Sequence, residues 1–195
     1  MKRLGFFVGI LSVLLAVSMG QSRQPQDEAQ MEAFRKASEA SDALIARLLA
    51  RLNQEYQAGG AERGVKVCSE IAQQLTQQIG KEYGVQIRRV SLKNRNPRNA
   101  PDAWERQILQ RWERDFQQKK PLSPVIVQTT ERGKKVYRYM RPIMVMMPLC
   151  LECHGQNIKP EVRRLIRERY PNDKATGYRL GDLRGAVSVR VPAAK

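Results

Sequence analysis

The chain has 195 residues, enough for one domain with a real core plus extensions, and its 42% hydrophobic against 28% charged residues exclude a disordered polymer. Its formal net charge of +16 suits acidic partners or an anionic membrane face. The basic residues are spread along the chain and no nucleic-acid motif accompanies them, so no nucleic-acid partner is expected; solvation of helix faces accounts for the charge equally well.

Residues 1–20 read as a secretory signal. Lys2 and Arg3 form a positive start, Leu4 to Val17 an apolar core, and Ser18-Met19-Gly20 place small residues before a cleavage at Gln21. The apolar run is short for a membrane span, and an uncleaved N-terminal anchor is the alternative. Either form puts the protein on the exported side of the membrane, in the periplasm of a bacterium. Residues 21–26 read as a polar tether, and residues 27–195 as a single domain.

A long helix is predicted from Asp27 to Tyr56, with Met31, Phe34, Ala37, Leu44, Leu48, Leu52 and Tyr56 at helical spacing and Gly59-Gly60 as its stop. Its length offers a surface for a second copy of the chain. A second helix is predicted from Val65 to Ile79, stopped by Gly80, with Cys68 facing inward beside Ile71, Ala72 and Leu75. Val85 to Leu92 reads as a strand whose alternation slips phase at Arg88-Arg89, as at a bulge. After a turn-rich stretch, Asp102 opens a helix with a capping box, Glu105 lying three residues on. Trp104, Ile108, Trp112 and Phe116 give it an aromatic stripe that reads as core. Two extended runs, Pro124 to Thr130 and Lys135 to Met147, flank a hairpin loop at Glu131 to Lys134. A short basic helix from Lys159 to Arg169 and a last strand from Ala186 to Val191 complete an α+β pattern, an antiparallel sheet flanked by helices.

Chemistry concentrates in Cys150-Leu151-Glu152-Cys153-His154, the C-x-x-C-H form of a c-type haem attachment site. The two thiols would form thioethers to one covalent haem, and His154 would be its axial ligand. A zinc site would need about four ligands, and beyond the motif the chain offers one Cys and no His. A thioredoxin-like redox pair would sit in a βαβ setting that the pattern lacks.

His154 is the single histidine, so a second axial histidine from the same chain is excluded. Cys68, Met140, Met144, Met146, Met147, a lysine, water or an open position remain as the other ligand. Methionine would raise the potential, and thiolate would favour the ferric state. The methionines also suit soft packing against a porphyrin edge. Cys68 is ordinarily a small buried hydrophobe, but an unpaired cysteine in an oxidising compartment calls for a use. Arg95, Arg98, Tyr137, Tyr139 and Arg184 are candidates to hold haem propionates, with Met140 and Met147 as further haem contacts.

Three segments in series carry a resemblance: Arg95 to Pro101 followed by Trp104-Glu105, Cys150 to Gly155, and Ala175 to Tyr178 continuing through Gly181 to Ala186. In this order they resemble the bacterial family of single-haem, c-type PAS-like domains first catalogued as a domain of unknown function. The resemblance covers roughly residues 29–191. It implies a PAS-like sheet and a His/Cys axial pair, with Cys68 in the matching place on an N-terminal helix. Relatives of this kind sit outside histidine kinases, chemoreceptors or cyclases; here a sensory role would need a separate signalling partner.

The expectation is therefore an exported c-type haem protein acting as a redox or gas-ligand sensing module, the reduced haem taking a small gas. The alternative is a periplasmic electron-transfer cytochrome docking an acidic redox partner. An enzyme such as a peroxidase is not expected, because no second histidine is available as acid or base.

Overall fold

The structure, a computed structural model, describes residues 24–193. The expected signal and the first half of the tether lie outside the described residues. The first helix, α1 (Gln24–Lys66), starts three residues before the expected Asp27, with Pro25 in its first turn, a position that needs no N–H partner. Gly59 and Gly60 break it instead of ending it: Gly60 takes φ 67°, and the helix resumes. Glu55, buried before the break, is gripped by Arg63 beyond it at 2.6 Å and by Arg51 at 2.8 Å.

A single π-helical turn (Val67–Ile71) joins α1 to α2 (Ala72–Glu82). The Ala72 N–H bonds the Val67 carbonyl, an i→i+5 step, and the Ser69 hydroxyl donates to the Val65 and Lys66 carbonyls. Gly80 does not stop α2. It marks a close approach, where an added Cβ would stand 3.0 Å from the Val85 carbonyl oxygen.

Strand β1 (Gln86–Val90) leads into a short 3₁₀ turn (Pro97–Asn99) and α3 (Ala103–Gln117). The α3 N-terminus carries the full capping box between Asp102 and Glu105. Trp112 and Ile108 on α3 are buried, but Phe116 is 38% exposed, because the last turn of α3 runs past the sheet's core. Strands β2 (Val125–Glu131) and β3 (Lys134–Met144) form the expected hairpin. Its two-residue loop puts Arg132 and Gly133 at positive φ, the turn that matches strand twist. Two short helices, α4 (Pro148–His154) and α5 (Pro160–Arg169), precede β4 (Leu183–Pro192).

The four strands form one antiparallel sheet in the order β1-β4-β3-β2. The fold is α+β. Strand β1 pairs regularly through Arg88 and Arg89, so the phase slip there is not a bulge; the irregularity lies between Ile143 and Met144. Helix α1 covers one sheet face, burying Ala37, Ala40 and Leu44 on Tyr137, Tyr139, Val187 and Val189. The other face packs Val90, Met140 and Ala186 against Ile108, Leu109 and Trp112 of α3. No described helix is long and apolar enough to cross a membrane.

Candidate functional site

Beyond Leu44 the α1 face of the sheet is left open. A cavity of about 450 Å3 lies there, within the range of small-molecule and cofactor sites. Leu48 and Leu52 of α1, Ile143 of β3 and the stretch Met144 to Met147 give it apolar walls. Cys68 enters from the π-helical turn, Cys150 and His154 from α4, Arg89 from β1 and Arg184 from the start of β4. A smaller cavity of about 30 Å3 shares Cys68, Cys150 and His154 and adds Cys153. All three cysteines are free thiols and half-buried.

Helix α4 begins at Pro148, which suits a first helical turn, and ends at Gly155. A Cβ on Gly155 would lie 2.5 Å from the Leu151 carbonyl oxygen, so only glycine allows the chain to leave the motif this way. The residues after α5 return to clasp it. Tyr178 N–H donates to the His154 carbonyl at 3.0 Å, and Gly177 N–H to the Gly155 carbonyl at 2.9 Å. The Tyr178 ring stands edge-on to the His154 imidazole, centroids 6.3 Å apart.

His154 Nδ1 lies 2.7 Å from the Ala175 carbonyl oxygen. A carbonyl can only accept, so Nδ1 carries the proton and Nε2 keeps its lone pair. Burial pushes the imidazole well below its ordinary range, and the nearby Arg184 and Arg95 charges push it further, against the opposing Ala175 bond. The ring is thus a neutral donor through Nε2. Burial likewise pushes the Cys153 thiol up to about 12, with the Cys68 sulfur adding to the shift and Arg95 opposing it.

Eight of the site candidates singled out in the sequence line the larger cavity: Cys68, Arg95, Met144, Met146, Met147, Cys150, His154 and Arg184. Four do not line either cavity. Tyr137 and Tyr139 sit on the same sheet face but farther along β3, buried under the first half of α1, where Phe34 meets Tyr139 edge-on at 5.4 Å. Met140 alternates to the opposite face and packs in the α3 core, which removes it as an axial candidate. Arg98 is exposed on the 3₁₀ turn, its backbone N–H tied to Asn96.

Sequence reasoning missed Arg89, although the Arg88-Arg89 phase slip was its signal: adjacent strand residues face opposite sides, and Arg89 faces the cavity. It also missed Asp173 and Ala175, which come near His154 only through the fold. Arg95 takes a different part from the expected one. Its guanidinium is 6% exposed and committed to Asp173, with contacts of 3.1 and 3.0 Å, and to the Cys153 carbonyl at 2.6 Å.

Comparisons with known proteins agree on one group. The model of the family described as Tll0287-like matches residues 19–192. A solved structure described as that of the cyanobacterial heme-protein Tll0287 is similar, with 28% identity and a TM-score of 0.52 over 77% of this chain and 94% of that one. Comparison with curated proteins found no match.

Proposed function

The chain belongs to the Tll0287-like family, and from that premise we propose that it is an exported c-type haem protein that senses redox state or a small gas. In this reading Cys150 and Cys153 hold the group covalently, one per chain, His154 and Cys68 are its axial ligands, and the sheet with its flanking helices is PAS-like. The description of the similar cyanobacterial protein as a heme-protein supports the cofactor. The observation that carries the reading is that His154, with Nε2 free, and Cys68, from a distant π-helical turn, line one cavity with Cys150.

The residues present fit the group. Arg184 Nε is buried without a hydrogen-bond partner, and among the described residues neither Arg184 nor Arg89 pairs with a carboxylate. Two guanidiniums without carboxylate partners, facing a largely apolar cavity, are what two propionates require. Arg184 is itself held by the Ser91 hydroxyl at 3.0 Å and the Lys93 carbonyl at 3.3 Å, so it is fixed before any ligand arrives. Leu48, Leu52 and Ile143 give the cavity apolar walls that would exclude water from a bound haem. Bound there, haem would supply a redox-active iron that favours the ferric state under thiolate ligation.

Ferric and ferrous spectra of wild type and Cys68→Ala, with and without carbon monoxide, test this reading. Expected are low-spin thiolate electron-paramagnetic-resonance signals lost in the variant, and ferrous carbon monoxide uptake that differs between the two. Identical spectra and uptake would remove Cys68 as a ligand. One observation favours electron transfer as a second reading: Met146 lines the cavity and is 73% exposed, so the cavity wall reaches the surface. In that case reduction by an acidic redox protein slows as salt rises.

A further inference from the structure

The motif's histidine is not held by its carbonyl partner alone. Arg95 Nη2 donates to that same Ala175 oxygen at 3.2 Å, while His154 Nδ1 lies 2.7 Å from it. The Arg95 guanidinium also donates to the Cys153 carbonyl, inside the motif, and makes a two-pronged contact with Asp173. Asp173 in turn accepts from the Ala175 N–H at 2.9 Å, fixing the peptide that presents the shared oxygen. Arg95 and Asp173 side chains are 6% and 8% exposed, so water screens the pair little.

We propose that Arg95 and Asp173 are a positioning pair that sets the donor strength of His154 through the shared Ala175 carbonyl. The inference rests on the haem reading above. A carbonyl bonded by a cation is a poorer acceptor for a second donor. Arg95 therefore restrains how far the Nδ1 proton is drawn toward Ala175, and with it the electron density at Nε2. Asp173 opposes this by neutralising the guanidinium and sharing its protons. In this scheme both act through the ligand's hydrogen-bond partner.

The two members should move the haem midpoint potential in opposite directions. Arg95→Gln frees the carbonyl and leaves the Asp173 anion uncompensated, both of which favour the ferric state. Asp173→Asn keeps the shape and the acceptor toward Ala175 but leaves the guanidinium unneutralised, favouring the ferrous state. Each should change the one-electron reduction equilibrium by roughly tenfold, which is about 59 mV. Arg95→Lys keeps the charge but cannot reproduce the fork to Asp173 and the Ala175 carbonyl, so it should shift in the same direction as Arg95→Gln by a smaller amount.

The experiment is a spectroelectrochemical titration of the wild-type holoprotein and the three variants. A lowered potential for Arg95→Gln and a raised one for Asp173→Asn, with Arg95→Lys between wild type and Arg95→Gln, support the pair's role. Shifts of the same sign, reversed signs or no shift overturn it, as does Arg95→Lys at the wild-type potential, which would show charge alone at work. If Arg95→Gln does not fold, Asp173→Asn decides alone: a raised potential supports the proposal, an unchanged or lowered one defeats it. A wild-type protein that takes up no haem overturns this inference and the reading beneath it together. A haem-loaded wild type with same-sign variants overturns the pair's role only.

Discussion

The two faces of the sheet differ in how far they neutralise their arginines. On the α3 face, Arg138 and Arg190 both reach Asp102, at 2.6 and 2.8 Å, and Arg190 also meets Glu131 at 3.2 Å. Arg88 joins them near the fully buried Glu105 and donates to the Ala100 carbonyl, and Arg138 stacks over Trp104 at 4.4 Å. At the cavity, Arg141 pairs with Asp42 and Arg95 with Asp173, but Arg89 and Arg184 have no carboxylate partner among the described residues. Arg88 and Arg89 are neighbours in sequence, yet one belongs to the protein's internal ion-pair network and the other faces a space sized for a ligand. Charge that serves folding is neutralised from within; charge left over at a cavity awaits neutralisation from a ligand.

The contrast breaks most sharply at the motif. If the proposed covalent attachment holds, replacing Cys150 and Cys153 together with alanine should abolish the haem stain that wild type shows on a denaturing gel. The α3 face should remain intact, with an unchanged far-ultraviolet circular dichroism spectrum. Trp112→Ala should do the reverse, costing about 3–5 kcal/mol in urea unfolding while the folded fraction keeps its haem stain. Loss of haem in that variant would show that the faces are not independent.

A smaller effect is expected at Asp102. Burial alone would raise its carboxyl, but the Glu105 N–H and the Arg138 and Arg190 guanidiniums outweigh burial and hold it below the ordinary range. A carboxyl depressed in the folded state stabilises the fold above its unfolded value, near 3.9, and loses that contribution as pH falls through the folded value. Asp102→Ala should therefore cost about 1–2 kcal/mol at neutral pH, with the gap to wild type narrowing as pH falls below the unfolded value of about 3.9. Urea midpoints at both pH values measure it. The smallest effect belongs to Arg89→Gln, which should alter the stability of haem-free protein by no more than about 0.5 kcal/mol. Arg88→Gln should cost more, and a reversed order would undo the contrast.

The residues of the motif were legible because five consecutive positions carry their own chemistry. So were the α3 cap, two side chains three residues apart, and the β2–β3 hairpin, announced by Gly133 between extended runs. Strand alternation could separate Tyr137 and Tyr139 from Met140, but it could not say which face held the cavity or how far along β3 it lay. The Arg95, Asp173 and Ala175 cluster was illegible for a different reason. Its members are drawn from two loops, and a loop carries no periodicity to read. Helical spacing placed Cys68 on an inward face but could not reveal the π-helical turn, whose one-residue slip is smaller than the tolerance of an i, i+3 or i+4 pattern.

That turn separates two properties of the chain that a regular helix would tie together. From Ala61 to Glu82 the backbone runs as one rod with a single surplus residue wound into it. Deleting one position, Ser69 for instance, would let the wide turn close to ordinary pitch. Ala72, Thr76 and Ile79 would keep their buried faces, while Cys68 would lose the wide turn from which it lines the cavity. The turn is thus a splice: α2 keeps the phase of an unbroken helix, and the place of Cys68 is set by the one residue the turn takes in.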